Sequence, residues 1–217
     1  MALALLSGAA FVRAQARAAE PMLPLTLFRE RRFTAPIAIG SSVNVCYYGP
    51  IFLFTLLFQE HQGMSALHAG LAFLPMTAAI LAANLVAGRF SALGPRRTIL
   101  LGLAAMLVGC VALLPAGAAT AYPALIAQQV LLGGGLGLLV PPLTGLLLSS
   151  ADPSRSGVAS GAFTAFRQAG SLLGVALFGS LVSSGHFYTG LHTAIWISIA
   201  AVTLSAVIAV RVSVNRT

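Results

Sequence analysis

The sequence predicts an all-α membrane protein, a bundle of six transmembrane helices with both ends on the cytoplasmic side. Three observations predict it. The 217 residues are 58% hydrophobic and only 7% charged, where soluble domains are about 25% charged. Six apolar runs are long enough to cross a hydrocarbon core of roughly 30 Å, which takes about 20 helical residues. All twelve basic residues are arginines, and every one except Arg167 lies beyond the same ends of those runs. Positive charge marks the cytoplasmic side, so the reverse orientation would export eleven arginines.

A net charge of +8 on a soluble chain would suggest nucleic acid. Here the arginines occupy short loops with no interleaved aromatics, so no nucleic-acid partner is implied. Cys46 and Cys110 both fall inside apolar runs and read as small buried residues rather than a disulfide framework.

Met1–Val12 is apolar but too short to span. It reads as the stub of a preceding transmembrane helix, since signal-peptide cleavage near Ala14-Gln15-Ala16 would export Arg17 and Arg29. Residues 13–32 read as a cytoplasmic linker interrupted by Pro21 and Pro24, residues 33–211 as the bundle, and 212–217 as a cytoplasmic tail. The first span is Phe33–Phe58, with Asn44, Tyr47, Tyr48 and an expected break at Gly49-Pro50. Gln59–Leu67 carries Glu60 and no arginine, so it faces outward. His68–Ala87 is the second span, and Gly88–Arg97 returns on the cytoplasmic side with a turn at Gly94-Pro95. Thr98–Leu114 is close to featureless and reads as a lipid-facing or packing helix.

Pro123–Leu148 holds Gln128 and Gln129, then LLGGGLG at residues 131–137, then Pro141-Pro142. Glycines in a membrane helix permit close packing or a bend. They are no nucleotide signal, because the strand and soluble helix that a phosphate loop needs are missing. His192–Val210 is the sixth span, with Trp196 near its outer end. His61, His68, His186 and His192 fall at or near outer edges without zinc-ligand spacing, and they read as interfacial.

Gly157–Leu181, the fifth span, carries Arg167 and Gln168 well inside it. A membrane-buried arginine is costly unless it faces protein, water or a partner group, so it marks a functional site by default. The alternative is that Arg167 only ties two helices together. Gly157, Gly161, Gly170 and Gly174 on the same span are small residues that let helices approach closely.

Several motifs together resemble one family. They are Pro24-Leu25-Thr26-Leu27-Phe28-Arg29 before the first span, then Gln59, Gly63 and Ser65, then Ala69-Gly70-Leu71 leading to Leu74-Pro75. Gly88-Arg89 with Gly94-Pro95-Arg96 follows, then Gly133–Gly137 with Pro141-Pro142, and Ala159-Ser160-Gly161 with Arg167-Gln168 and Gly170. The chain from about Pro21 onward resembles the carboxy-terminal half of fourteen-helix drug:proton antiporters of the major facilitator superfamily. The resemblance implies half of a major facilitator fold, which rocks against an amino-terminal half-bundle supplied in cis or in trans. It implies a small amphiphilic or cationic substrate, protons as the coupling ion, the lipid bilayer of the inner membrane as surroundings, and no cofactor. The family's coupling carboxylates lie mostly in the other half, and none of the six spans here contains Asp or Glu.

Arg167, Gln168, Gln128, Gln129, Asn44, Tyr48 and Phe166 are therefore candidates for the substrate path or bundle interface. For the two adjacent glutamines, path lining and interhelical hydrogen bonding stay open. Gly88, Arg89, Gly94, Pro95 and Arg96 resemble a cytoplasmic gate loop, although their charges alone would also set topology. No nucleophile–base pair, paired carboxylates or metal-ligand cluster can be argued, so an enzyme is not indicated. The rival reading is a membrane interaction protein that does not transport.

Overall fold

The computed structural model describes residues 13, 28–117, 120–183 and 187–214. The expected stub at 1–12, most of the linker, His186 and residues 215–217 lie outside them. Helix α1 is Arg31–Leu56, extended by a π turn at Leu57–His61. Helices α2 (Ala66–Leu71) and α3 (Leu74–Ala87) form the second span together, closed by a 3-10 turn at Gly88–Leu93. Then come α4 (Pro95–Ala112), α5 (Tyr122–Ser149), α6 (Ser156–Val182) and α7 (Phe187–Val214). Six helices are long and apolar enough to cross a membrane, and no strand occurs among the described residues.

The helix ends follow local chemistry. Ser65 caps α2 by accepting the His68 N–H at 3.3 Å. Gly94, at φ +80°, supplies the left-handed residue before Pro95 opens α4, where a missing N–H costs nothing. The second span departs from the single helix expected over His68–Ala87. Pro75 has no N–H to give the Leu71 carbonyl, and α2 ends there. The first span departs the other way, since α1 runs unbroken through Gly49-Pro50. Within a packed membrane bundle, neighbouring groups and small local adjustments make an interior proline tolerable. Gly49 lies so close to the Phe178 ring of α6 that a Cβ would overlap it.

The bundle is held by close backbone contact, the main route to helix association where lipid is as apolar as leucine. α1 pairs with α6, α5 with both α3 and α4, and α7 rests on α1 and α4. At the seams of α1 with α6 and of α5 with α3 and α4, a glycine of one helix faces a carbonyl of the other. A Cβ on Gly170 would strike the Ser41 carbonyl, and one on Gly174 would lie 2.6 Å from the Val45 carbonyl. Gly133 meets the Met76 carbonyl and Gly137 the Ile80 carbonyl in the same way. Gly102 and Gly135 face each other's carbonyls across α4 and α5, so the featureless third span is a packing helix. α1 is the most enclosed span, while the second span and α6 are the least enclosed.

Candidate functional site

The α1–α6 seam gathers Asn44, Phe166, Arg167, Gly170 and Gly174 of the sequence-predicted residues. Gly170 and Gly174 bring α6 onto α1, so the polar side chains of α1 reach the α6 backbone. The Asn44 Nδ2 donates to the Arg167 carbonyl at 2.9 Å, and the Ser41 hydroxyl donates to the Phe166 carbonyl at 2.9 Å. The Ser171 hydroxyl adds a second bond to the Arg167 carbonyl at 3.1 Å. These bonds fix the backbone of residues 166 and 167 and leave the side chains free.

The Arg167 side chain is half-buried. Its Cζ lies 5.5 Å from the centroid of the Phe163 ring, a cation–π arrangement. Its Cγ lies over Gly40, where a Cβ would come within 3.3 Å. Among the described residues the guanidinium makes no hydrogen bond and no ion pair. Tyr48 and Phe166 are 39% and 44% exposed, and the Phe166 ring packs on Phe28 with 5.8 Å between centroids. Gln168 is exposed on the same helix.

Gln128 and Gln129 do not join this group. The Gln128 Nε2 donates to the Ala112 carbonyl at 3.1 Å, tying α5 to the end of α4. Gln129 is fully buried, and both ends of its amide lack a partner among the described residues. The four glycines of α6 divide into pairs. Gly170 and Gly174 sit in the α1 seam, whereas a Cβ at Gly157 or Gly161 would meet nothing within 4 Å. The latter two occupy a face of α6 that no described helix covers.

At the arginine-rich end, a cavity of about 500 Å³ lies between the starts of α1 and α4 and the ends of α5 and α7. Gly94, Pro95 and Arg96 of the expected gate loop line it, along with Arg32, Arg97 and Glu30. The Thr98 hydroxyl steadies the loop by donating to the Gly94 carbonyl at 3.1 Å or the Phe90 carbonyl at 3.2 Å. Gly88 faces open space and Arg89 is exposed. Among the described residues, no group of three or more His, Cys, Asp or Glu is placed to hold a metal ion.

Sequence reasoning missed Gly40 and Ser41. Their signal was weak, since a small residue and a hydroxyl in a span are common. Only the pairing of α1 with α6 shows that Gly40 seats the stem of Arg167 and Ser41 accommodates Gly170.

Six membrane-capable helices, with a half-buried arginine inside one of them, define a polytopic membrane protein. The chain belongs to the major facilitator superfamily, whose family model matches residues 4–175. It is 34% identical over 175 residues to the drug efflux pump JefA of Mycobacterium tuberculosis, covering 80% of this chain and 34% of that protein. It is 32% identical over 185 residues to the methylenomycin A resistance protein of Streptomyces coelicolor, covering 84% of this chain and 39% of that one. The chain thus spans little more than a third of either relative. A crystal structure of the peptide transporter POT superposes with a TM-score of 0.66 at 20% identity, over 87% of this chain and 37% of that chain, and shares its fold.

Proposed function

We propose that this chain forms the carboxy-terminal six-helix bundle of a proton-coupled drug-efflux transporter of the bacterial inner membrane. Its termini and the Gly88–Arg97 loop face the cytoplasm. It works by alternating access against an amino-terminal half-bundle, present in the same chain or in another. The substrate is a small amphiphilic or cationic compound. The observation that carries this reading is Arg167. A half-buried guanidinium inside a span, held over Phe163 and without a hydrogen-bonding partner among the described residues, is poor structural glue. It is well placed to meet water, substrate or a second bundle. The efflux-pump relatives support the direction of transport, and the eleven arginines at one end support the orientation.

Tyr48, Phe166 and Gln168 form the exposed surroundings of that cation, and the open faces of α6 and of the second span are where the other bundle meets this one. Gly157 and Gly161 lie on the α6 part of that surface.

The test is co-expression with an amino-terminal half from a close relative, followed by dye efflux from intact cells. Efflux is expected when both halves insert and is expected to vanish when either is withheld. Two inserted halves with no efflux above the Arg167→Ala background would instead favour a non-transporting interaction protein.

The gate loop carries its own expectation. Arg89→Lys keeps the charge that sets topology but loses the planar, five-donor fork. In a complete transporter, membrane insertion should be unchanged and efflux should fall about tenfold or more, the loss of a transition-specific contact. Undiminished efflux by Arg89→Lys would reduce the loop to a topology signal.

A further inference from the structure

The end of the bundle opposite the arginines holds a histidine whose two nitrogens both face acceptors. His192 lies in the first turns of α7. Its Nδ1 is 2.7 Å from the Tyr188 carbonyl, one turn back on its own helix. Its Nε2 is 2.9 Å from the Leu114 carbonyl, in the turn that closes α4. Carbonyl oxygens only accept hydrogen bonds, and a neutral imidazole has a single N–H. Whichever tautomer a neutral ring took, one contact would set lone pair against lone pair. Only the imidazolium, with two N–H groups, donates at both.

We propose that His192 is a proton-binding site, and that its protonated form latches the closing turn of α4 onto α7. Loss of the proton leaves one N–H for two carbonyls, so the ring gives up one of the two bonds and its hold between α4 and α7 weakens. The proposal rests on the imidazole geometry and holds whether or not the chain transports drugs. Under the orientation proposed above, the site faces the outside, the side from which a proton-driven exporter draws its protons.

Among the described residues, the titratable groups packed around this end are few. The π turn after α1 brings Glu60 and His61, whose ring lies 4.1 Å from Phe187 and 5.6 Å from Tyr188. α7 itself adds the Tyr188 phenol, and α4 adds Cys110 one turn further in. α6 has no titratable side chain between Gly170 and Val182. None of these hydrogen-bonds the imidazole in the described structure.

The test uses the full chain in lipid nanodiscs with 15N-labelled histidine, followed from about pH 5 to pH 8, where histidine charge ordinarily changes. His192 is assigned by the signal lost in His192→Gln. In parallel, spin labels at the exposed positions Val111 and Thr193, with Cys46 and Cys110 replaced by alanine, report the α4–α7 distance. Both His192 nitrogens should be protonated at the acid end, and one should lose its proton in a single step. The label distance should lengthen or broaden over that same step and become pH-independent in His192→Gln. A ring that stays neutral throughout would overturn the proposal. So would a label distance that does not follow its titration, or one that still responds to pH in His192→Gln. The pH dependence of the label distance needs only the chain that retains His192, so that readout survives even if His192→Gln folds poorly.

Discussion

Gly170→Leu should prevent the bundle from folding, and Gly170→Ala should destabilise it by about 1–3 kcal/mol, the usual cost of overpacking a filled site. Even a single methyl at Gly170 would overlap the Ser41 carbonyl. Backbone cannot swing away as a side-chain end can, so α1 and α6 would have to part. Parting them would break the Asn44 and Ser41 bonds to the backbone of residues 166 and 167 as well. Gly174→Ala meets the Val45 carbonyl and should behave alike. Gly157→Ala and Gly161→Ala are the controls. Both positions face open space, and alanine is favoured over glycine in a helix by roughly 0.5–1 kcal/mol. These two variants should be neutral or slightly stabilising. Denaturant or thermal unfolding of the chain in a mild detergent measures all four. Equal loss in the Gly157 and Gly170 variants would mean that α6 packs on α1 through a different face. Should Gly157→Ala leave the bundle intact yet lower efflux in a complete transporter, that face of α6 would be marked as the surface meeting the second bundle.

The same four glycines show how much of the molecule could be read from its sequence. Span length and polarity are one-dimensional properties, so the six apolar runs locate the membrane helices to within a few residues of Arg31–His61 through Phe187–Arg211. Pairing is a three-dimensional property. Gly157 and Gly161 have the same spacing as Gly170 and Gly174, and only the position of α1 separates them. The third span looked blank because Gly102 acts through Gly135, more than thirty residues away along the chain. The site behaved likewise. Arg167 announced itself by its cost in a membrane, and its seat against Phe163 and Gly40 followed from the seam. Gln128 carried an equally polar signal but serves the α4–α5 contact through its Nε2, while its Oε1 is buried without a partner among the described residues. His192 gave no signal beyond its position at a span edge, because its meaning lies in the Leu114 carbonyl of another helix.

Arg167→Ala should leave the bundle folded and remove transport. Stability and function separate here because the interhelical bonds at this point end on the Arg167 carbonyl, not its side chain. Removing the guanidinium costs the contact with Phe163, about 0.5–2 kcal/mol for a cation over an aromatic face, and gives back the penalty of holding a charge inside a span. The net change in unfolding free energy should be within about 1 kcal/mol. Asn44→Leu should do the reverse. It strips a bond worth about 1 kcal/mol from the seam while leaving the cation in place, and it should weaken folding more than efflux. In a complete transporter, Arg167→Ala is expected to lower dye efflux by about tenfold or more at unchanged membrane abundance. Arg167→Lys discriminates further. Lysine keeps the charge but is a compact, strongly hydrated ammonium without the flat face that stacks on Phe163. Restored efflux in Arg167→Lys would mean that the site needs only a positive charge. Continued loss would mean that it needs the guanidinium plane, and with it the Phe163–Tyr48–Phe166 surroundings. Unfolding of Arg167→Ala as severe as that of Gly170→Leu would show Arg167 to be a tie between helices, and the transport reading of this residue would fall.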